Sequence, residues 1–292
     1  MSPPSVVTGS NTVNFKVNKP HPELTSSVVR NSHGLLSFSS QDFSCAIVDK
    51  NDQRLLLLVH DSWQDEPMSW SQLQQKFDDR LDALPYRIDH CAQISAVADF
   101  PKFSLVPESM YRKGMGPELL SYTSHLQGKE QIFTDQWSAA QAVLVYSLPG
   151  AWVEWFHKTF GNGRFRHQGT ALQKLYQNFS REGSFVSLHV ADQRADLFIA
   201  HQGQVLLYNQ FPFQVEEDIL YYLLFALEQY RLLPTELHLF LSGKSHRGEK
   251  LFLLLERYLG EVKELPLPHR PVLDSHIAPK EWRQHAPLMG IL

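Results

Sequence analysis

Three short apolar stretches joined by two tight turns occur at about 35–60 and again at about 184–209, roughly 150 residues apart. The first, LLSFSSQDFSCAIVDKNDQRLLLLV, divides into strands at about 35–40, 43–49 and 54–60, with Gln41-Asp42 and Lys50-Asn51-Asp52 as turns. The second divides into strands at 184–190, 194–200 and 204–209, separated by Ala191-Asp192-Gln193 and His201-Gln202-Gly203. Connections this short hold no crossover helix, so each trio must be antiparallel. A helix follows each trio. The order repeats although the letters do not, and two similar α/β halves imply two lobes with a cleft between them.

The helix after the first trio is marked by a Ser71/Gln74 capping pair and by Leu73, Phe77, Leu81 and Leu84 on one face, and Pro85 ends it. A short helix near 117–126, a strand at 142–146 and an aromatic-rich helix at 151–159 follow. Thr170 and Gln173 form a second capping pair. After the second trio comes a helix at 215–231, with Glu216, Glu217 and Asp218 suited to its positive N-terminal end. Its body is apolar nearly all round, which predicts cover on more than one side. A strand at 236–241, a Ser242-Gly243 turn, a helix at 247–259 and a strand at 262–265 complete the half. The expected organisation is a tail or edge strand over 1–31, where Val13, Phe15 and Val17 alternate, a first lobe over 32–150, a second over 151–268, and a surface-wrapping tail over 269–292.

With 27 basic and 31 acidic side chains the chain's formal charge is −4, which supplies no general field for nucleic acid or an anionic membrane. No apolar run reaches the ~18–20 residues that span a bilayer, and the N-terminus lacks the basic-then-apolar order of a secretory signal. The two cysteines, Cys45 and Cys91, cannot make a disulfide framework and read as small hydrophobes. A cytoplasmic location is the expectation. Fourteen histidines are scattered without metal-binding spacing, and no nucleophile elbow is present, so neither a metal site nor a catalytic residue is assigned.

A strand trio followed by helix and strand, occurring twice, resembles the actin-like ATPase (ribonuclease H-like) architecture: an α/β fold, duplicated, each lobe a mixed sheet that begins with three antiparallel strands. ADLFIAHQGQVLLYNQF, EDILYYLLFALEQ and ELHLFLSG are similar to an uncharacterised bacterial family, found mainly in Bacteroidetes, that carries this fold. Asn209, Phe211, Asp218, Tyr221 and Tyr222 look like its signature. Type IV pilus assembly ATPase-like proteins are more distantly similar.

The resemblance implies that active relatives hold nucleotide phosphates and magnesium at glycine-containing acidic turns between the first two strands of each half. The turns here, Ser39-Ser40-Gln41-Asp42 and Val190-Ala191-Asp192-Gln193, have one carboxylate each and no glycine. Asp42 and Asp192 either face each other around Mg²⁺ or are ordinary turn aspartates bonded to backbone. The adenosine contact of active relatives is glycine-rich, whereas here it is Ser242-Gly243-Lys244-Ser245. Gly243-Lys244-Ser245 imitates the end of a phosphate-binding loop, but the earlier glycine is replaced by His238 inside a strand. A weaker expectation is an anion at the start of helix 247–259, beside Lys244 and Arg247.

Tyr221 and Tyr222 either fill the core or lie at the cleft or a partner surface. Asn209 reads as a strand-end residue bonded to local backbone, and Asp218 as support for the first helical turn. Trp152, Trp155, Phe156 and Phe160 make one apolar stripe, read as core or, if exposed, as a partner patch. The combined reading is a degenerate actin-like ATPase fold acting as a non-catalytic interaction or regulatory module, with no cofactor and with another protein as its partner. The alternative is an ATP-binding protein, ATPase or kinase that uses magnesium with Asp42, Asp192 and Ser242–Ser245 in the cleft.

Overall fold

A computed structural model describes residues 16–17, 20–63, 68–126, 128–177, 179, 183–267 and 277–292. Val13 and Phe15 of the proposed edge strand lie outside the described residues, but β1 (Lys16–Val17) does pair antiparallel with a later strand. A short helix, α1 (Ser26–Val29), leads into the first trio: β2 (Ser32–Ser39), β3 (Asp42–Asp49) and β4 (Leu55–Ser62). Each strand of the trio is antiparallel to the next, as the short turns require. Helix α2 (Trp70–Asp82) follows, and β5 (Gln93–Asp99) returns parallel to β2.

Between β5 and the last strand of this sheet lies an insertion. It contains β6 (Phe103–Pro107), α3 (Gly116–Ser121), β7 (Glu130–Trp137) and β8 (Ala142–Pro149), in a separate antiparallel sheet ordered β6-β8-β7. Helix α4 (Gly150–Phe160) then leads to β9 (Arg164–His167), which pairs parallel with β5. The first sheet therefore has the order β1-β4-β3-β2-β5-β9 and continues past the expected boundary at 150. Helix α5 (Gln168–Tyr176) follows.

The second half repeats this order without the insertion. Strands β10 (Ser184–Val190), β11 (Arg194–His201) and β12 (Gln204–Pro212) form the antiparallel trio, followed by α6 (Glu216–Gln229), β13 (His238–Gly243), α7 (Lys250–Glu256) and β14 (Glu261–Glu264). Its order, β12-β11-β10-β13-β14, is that of β4-β3-β2-β5-β9, with the same antiparallel and parallel neighbours. Both halves are thus one five-strand plan used twice.

The first two strands of each trio read as nearly continuous apolar runs because both sheet faces are covered there: every residue of β2 is buried, whereas the edge strand β12 is mostly half-buried or exposed. On one face of the first sheet Phe38 meets Phe77 of α2 and Trp152, Trp155 and Phe156 of α4, with ring centroids 4.9 to 6.4 Å apart. The aromatic stripe of α4 is therefore core, not a partner patch. On one face of the second sheet Leu188, Leu197 and Ile199 pack with Leu223 of α6 and Leu255 of α7. The opposite face, with Phe185 and Phe198, shares a continuous core with the first lobe.

Several local expectations are corrected. Ser69 and Gln72, not Ser71 and Gln74, cap α2: Ser69 N–H donates to Gln72 Oε1 at 2.9 Å. Thr170 lies inside α5, whose cap is His167, and the Thr170 hydroxyl accepts from the Trp137 indole at 2.9 Å. Ser242 and Gly243 are not a turn but the end of β13. Helix α6 is covered on one side only.

The largest correction is at the C-terminus. Residues beyond the second sheet form α8 (Pro279–Gln284) and α9 (Ala286–Met289), and Trp282, Ala286 and Leu288 are fully buried. Helix α9 packs against α5, where a Cβ on Gly290 would come within 1.8 Å of the Ala171 carbonyl oxygen. Helix α5 follows β9 as α8 and α9 follow β14, so this segment completes the second copy of the plan instead of wrapping the surface. Its prolines hid the helical period in the sequence.

Candidate functional site

In both halves the turn between the first two strands of the trio points into the interlobe crevice. Here the β2–β3 and β10–β11 turns meet directly, with Gln41 Nε2 donating to Gln193 Oε1 at 3.5 Å. The two aspartates have different closest partners. Asp192 is held by Lys244 Nζ at 2.5 Å. Asp42 has its backbone N–H bonded to Ser39 Oγ at 2.9 Å, and its carboxyl is pushed up to about 6 by burial and by the nearby Asp99 charge.

The group that sequence reasoning missed is Arg194, the first residue of β11. It is ion-paired across the crevice with Asp99 at the end of β5. Gln210 Nε2 bridges Asp99 Oδ1 at 3.2 Å and Asp196 Oδ1 at 2.7 Å. Asp196 also accepts from Tyr208 Oη at 2.6 Å and from Gln168 Nε2 at 2.8 Å. Burial raises the proton affinity of both Asp99 and Asp196, and Arg194 opposes it. The result is a buried network joining β5, α5, β11 and β12 across both lobes. An arginine opening a strand carries no motif, so only the juxtaposition of distant strands reveals its role.

The C-terminal segment closes the remaining side. Ser44 Oγ lies 3.1 Å from Nδ1 of both His60 and His285, and the two imidazole rings are 4.9 Å apart. What is left between Asp42, Asp99, His60, Lys244, His285 and Leu288 is a void of about 40 Å³. A water needs roughly 10–15 Å³ on that measure, and drug-sized ligands occupy sites of about 300–1,000 Å³. The crevice therefore has room for a few waters.

Of the remaining nucleotide candidates, Ser242, Gly243 and Lys244 are committed to other contacts. Gly243 has φ +88°, and a Cβ there would lie 2.1 Å from the Val190 carbonyl oxygen, so this glycine lets β13 pass β10 closely. Ser242 Oγ bonds His189 Nδ1 at 3.0 Å, and burial lowers that imidazole to about 4. Ser245 is buried, and its hydroxyl has no hydrogen-bond partner. The expected anion site at helix 247–259 is also corrected. The helix begins only at Lys250, the Arg247 N–H donates to Glu264 Oε1 at 3.3 Å, and Lys244 is occupied by Asp192. A nucleoside triphosphate does not fit the void of about 40 Å³ that these residues leave. No group of three or more His, Cys, Asp or Glu side chains among the described residues is arranged for a metal.

Two wider depressions, of about 500 and 570 Å³, adjoin at Asp89 and Phe160 on the first lobe. Cys91 lines the first of them, and burial pushes its thiol up to about 12, away from a reactive thiolate. The family-signature residues gather instead around β12 and α6. Asn209 Oδ1 accepts from the Gln210 N–H at 3.0 Å, and Asp218 Oδ2 accepts from the N–H groups of Gln214 and Val215 at 2.9 and 3.2 Å. Phe211 is buried and packs against Tyr222 with tilted rings, centroids 4.6 Å apart. Tyr221 and Tyr222 do not fill the core: they are 63% and 38% exposed, and Phe225 is 51% exposed.

Comparison with known structures establishes the architecture. A Bacteroides thetaiotaomicron VPI-5482 protein, described as having an actin-like ATPase fold and unknown function, superposes with a TM-score of 0.72 at 18% identity, over 82% of this chain and 92% of that one. The type IV pilus biogenesis complex PilM–PilN contains a chain matching with a TM-score of 0.62 at 12% identity, over 88% of this chain and 96% of that one. No curated protein matches the sequence. No helix among the described residues is long and apolar enough to cross a membrane. The fold is a duplicated, degenerate actin-like ATPase fold, and with residues 31–262 matching its family model the chain belongs to the family described as protein of unknown function (DUF3822).

Proposed function

We propose that this protein is a non-catalytic, partner-binding module in which the crevice of the actin-like fold has become a structural seam. The observation that carries the reading is Arg194, a cation built into the chain that is paired with Asp99 where the two phosphate turns close on each other. Buried carboxylates need a counter-charge, and here the protein supplies one from its own sequence. The surrounding contacts lock the lobes together and leave a void far below nucleotide size. That one structural relative was solved within the PilM–PilN complex supports a role exercised through a protein partner. Two free cysteines, one of them buried, suit a cytoplasmic setting.

Thermal melts with and without millimolar Mg-ATP, Mg-ADP and Mg-GTP test the reading. A native-state site filled at 100 times its dissociation constant adds about 2.7 kcal/mol of apparent stability. No shift is expected with any of the three. A saturable shift that disappears in Asp42→Asn or Lys244→Ala would restore the ATP-binding alternative.

A further inference from the structure

From Gln204 through Tyr230 the chain carries Glu216, Glu217, Asp218 and Glu228 and not one lysine or arginine. This stretch is β12 and α6, the place where large aromatic side chains are exposed together. Tyr221 and Phe225 stack with centroids 6.2 Å apart, and Tyr221 and Tyr222 are 5.5 Å apart edge to face. On the helix surface Tyr221 and Tyr222 lie three and four residues after Asp218, Phe225 four and three after those rings, and Glu228 three after Phe225, which makes a single outward stripe of rings between carboxylates. The buried side of α6, with Ile219, Leu223 and Leu227, already satisfies the core. Tyr222 still packs on the buried Phe211, but Tyr221 and Phe225, more than half exposed, add little to that core.

We infer that this stripe is the docking surface for a protein partner, and that the partner presents a lysine- or arginine-bearing segment with apolar side chains between its charges. The inference rests on the partner-binding reading above and names the surface and the chemistry. Exposed tyrosine and phenylalanine faces attract ammonium and guanidinium groups, and aromatic anchors dominate binding hot spots. Glu228 forms no ion pair among the described residues, and Asp218 keeps its charge while capping α6. Lys250, on the adjacent α7, is held by Glu216 at 2.6 Å and lies 3.5 Å from Glu217, so the acidic end of the stripe is only partly neutralised. The same carboxylates disfavour an anionic membrane, and a second copy of this chain would bring the acids of one α6 toward those of the other.

The test uses the full-length protein and three labelled 15-residue peptides that share a leucine and phenylalanine pattern and differ only in having lysine and arginine, glutamine, or glutamate between. Binding is followed by fluorescence anisotropy at two salt concentrations. The basic peptide is expected to bind at least tenfold more tightly than the glutamine peptide, and the glutamate peptide not measurably. Tyr221→Ala/Phe225→Ala is expected to lose at least tenfold in affinity for the basic peptide. Glu217→Gln/Glu228→Gln is expected to retain weak binding with a reduced salt dependence, and unchanged melting curves show that both variants are folded. Equal binding of all three peptides, no binding of the basic one, or full binding by the aromatic double variant overturns the inference. So does adsorption to phosphatidylglycerol vesicles or self-association of the wild type that the aromatic double variant abolishes. A Mg-ATP shift in the parallel melts would sink the seam reading while leaving this result standing, so the two failures are distinguishable.

Discussion

Arg194 holds together a set of carboxylates that would repel one another without it. Removing one member of a buried ion pair strands the other, which typically costs about 3–5 kcal/mol, whereas replacing the pair with apolar groups is much less costly. Arg194→Met is therefore expected to lower unfolding stability by that amount in urea titrations, and Arg194→Met/Asp99→Leu to recover part of it. A single-variant loss below about 1 kcal/mol would contradict the seam. Buried histidines and buried carboxylates pull the response to acid in opposite directions. His167 and His189 are both lowered from 6.5 to about 4, by burial first. The unfolded chain takes up their protons between pH 6.5 and 4 while the folded chain does not. Their contribution is complete above pH 6.5 and lost as pH falls toward 4. Asp42, raised from 3.8 to about 6, works in the opposite direction and stabilises only below its folded value. The histidine part is thus expected to weaken the fold from pH 7 to pH 4.5, read as a smaller loss of melting temperature over that range in His189→Gln than in the wild type, while Asp42, Asp99 and Asp196, all raised by burial, oppose it. Asp42→Asn is expected to be the more stable form at pH 7.5, by about 1–2 kcal/mol after allowance for solvent screening.

At the scale of elements, α6 separates two kinds of apolar residue that share one run of sequence. Leu223 is fully buried between the helix and its sheet, while Tyr221 faces outward. Leu223→Ala is expected to cost about 2–5 kcal/mol and Tyr221→Ala to stay within about 0.5 kcal/mol, measured by chemical denaturation. A large loss from Tyr221→Ala would return that ring to the core. Sequence patterning located α6 within two residues at each end, but its nearly unbroken hydrophobicity concealed which side faces solvent. The same limit moved the cap of α2. Ser69, Ser71, Gln72 and Gln74 offer two capping pairs in the same register of three, and the choice of Ser69 falls to the position of the helix on its sheet. Strands β7 and β9 were illegible for a different reason: Glu130–Trp137 and Arg164–His167 are polar and partly exposed, so their existence depends on partners elsewhere in the chain.

For the molecule as a whole, the decisive contact is between α5 and the C-terminal helix. Gly290 lies against the Ala171 backbone so closely that no side chain fits. Gly290→Val is expected to push α9 off α5 and uncouple the lobes. Calorimetry then gives two separated transitions where the wild type gives one, and limited proteolysis cuts first within the last twenty residues. An unchanged single transition would show that the lobes are held by the Arg194 network without help from the tail.

The amino-acid sequence by itself determined the two strand trios, the helices that follow them and the absence of glycine from the first turn of each trio. These are consequences of short-range turn chemistry and local periodicity, which a chain expresses wherever it folds. Tertiary structure decided what the turns do. Gln41 meets Gln193, Arg194 reaches Asp99, and His285 arrives beside Ser44 through contacts spanning roughly 95 to 241 positions. Burial of the tail and exposure of Tyr221 are also matters of which surfaces find partners. Periodicity records that a side chain is apolar, but only the assembled lobes determine whether another surface covers it.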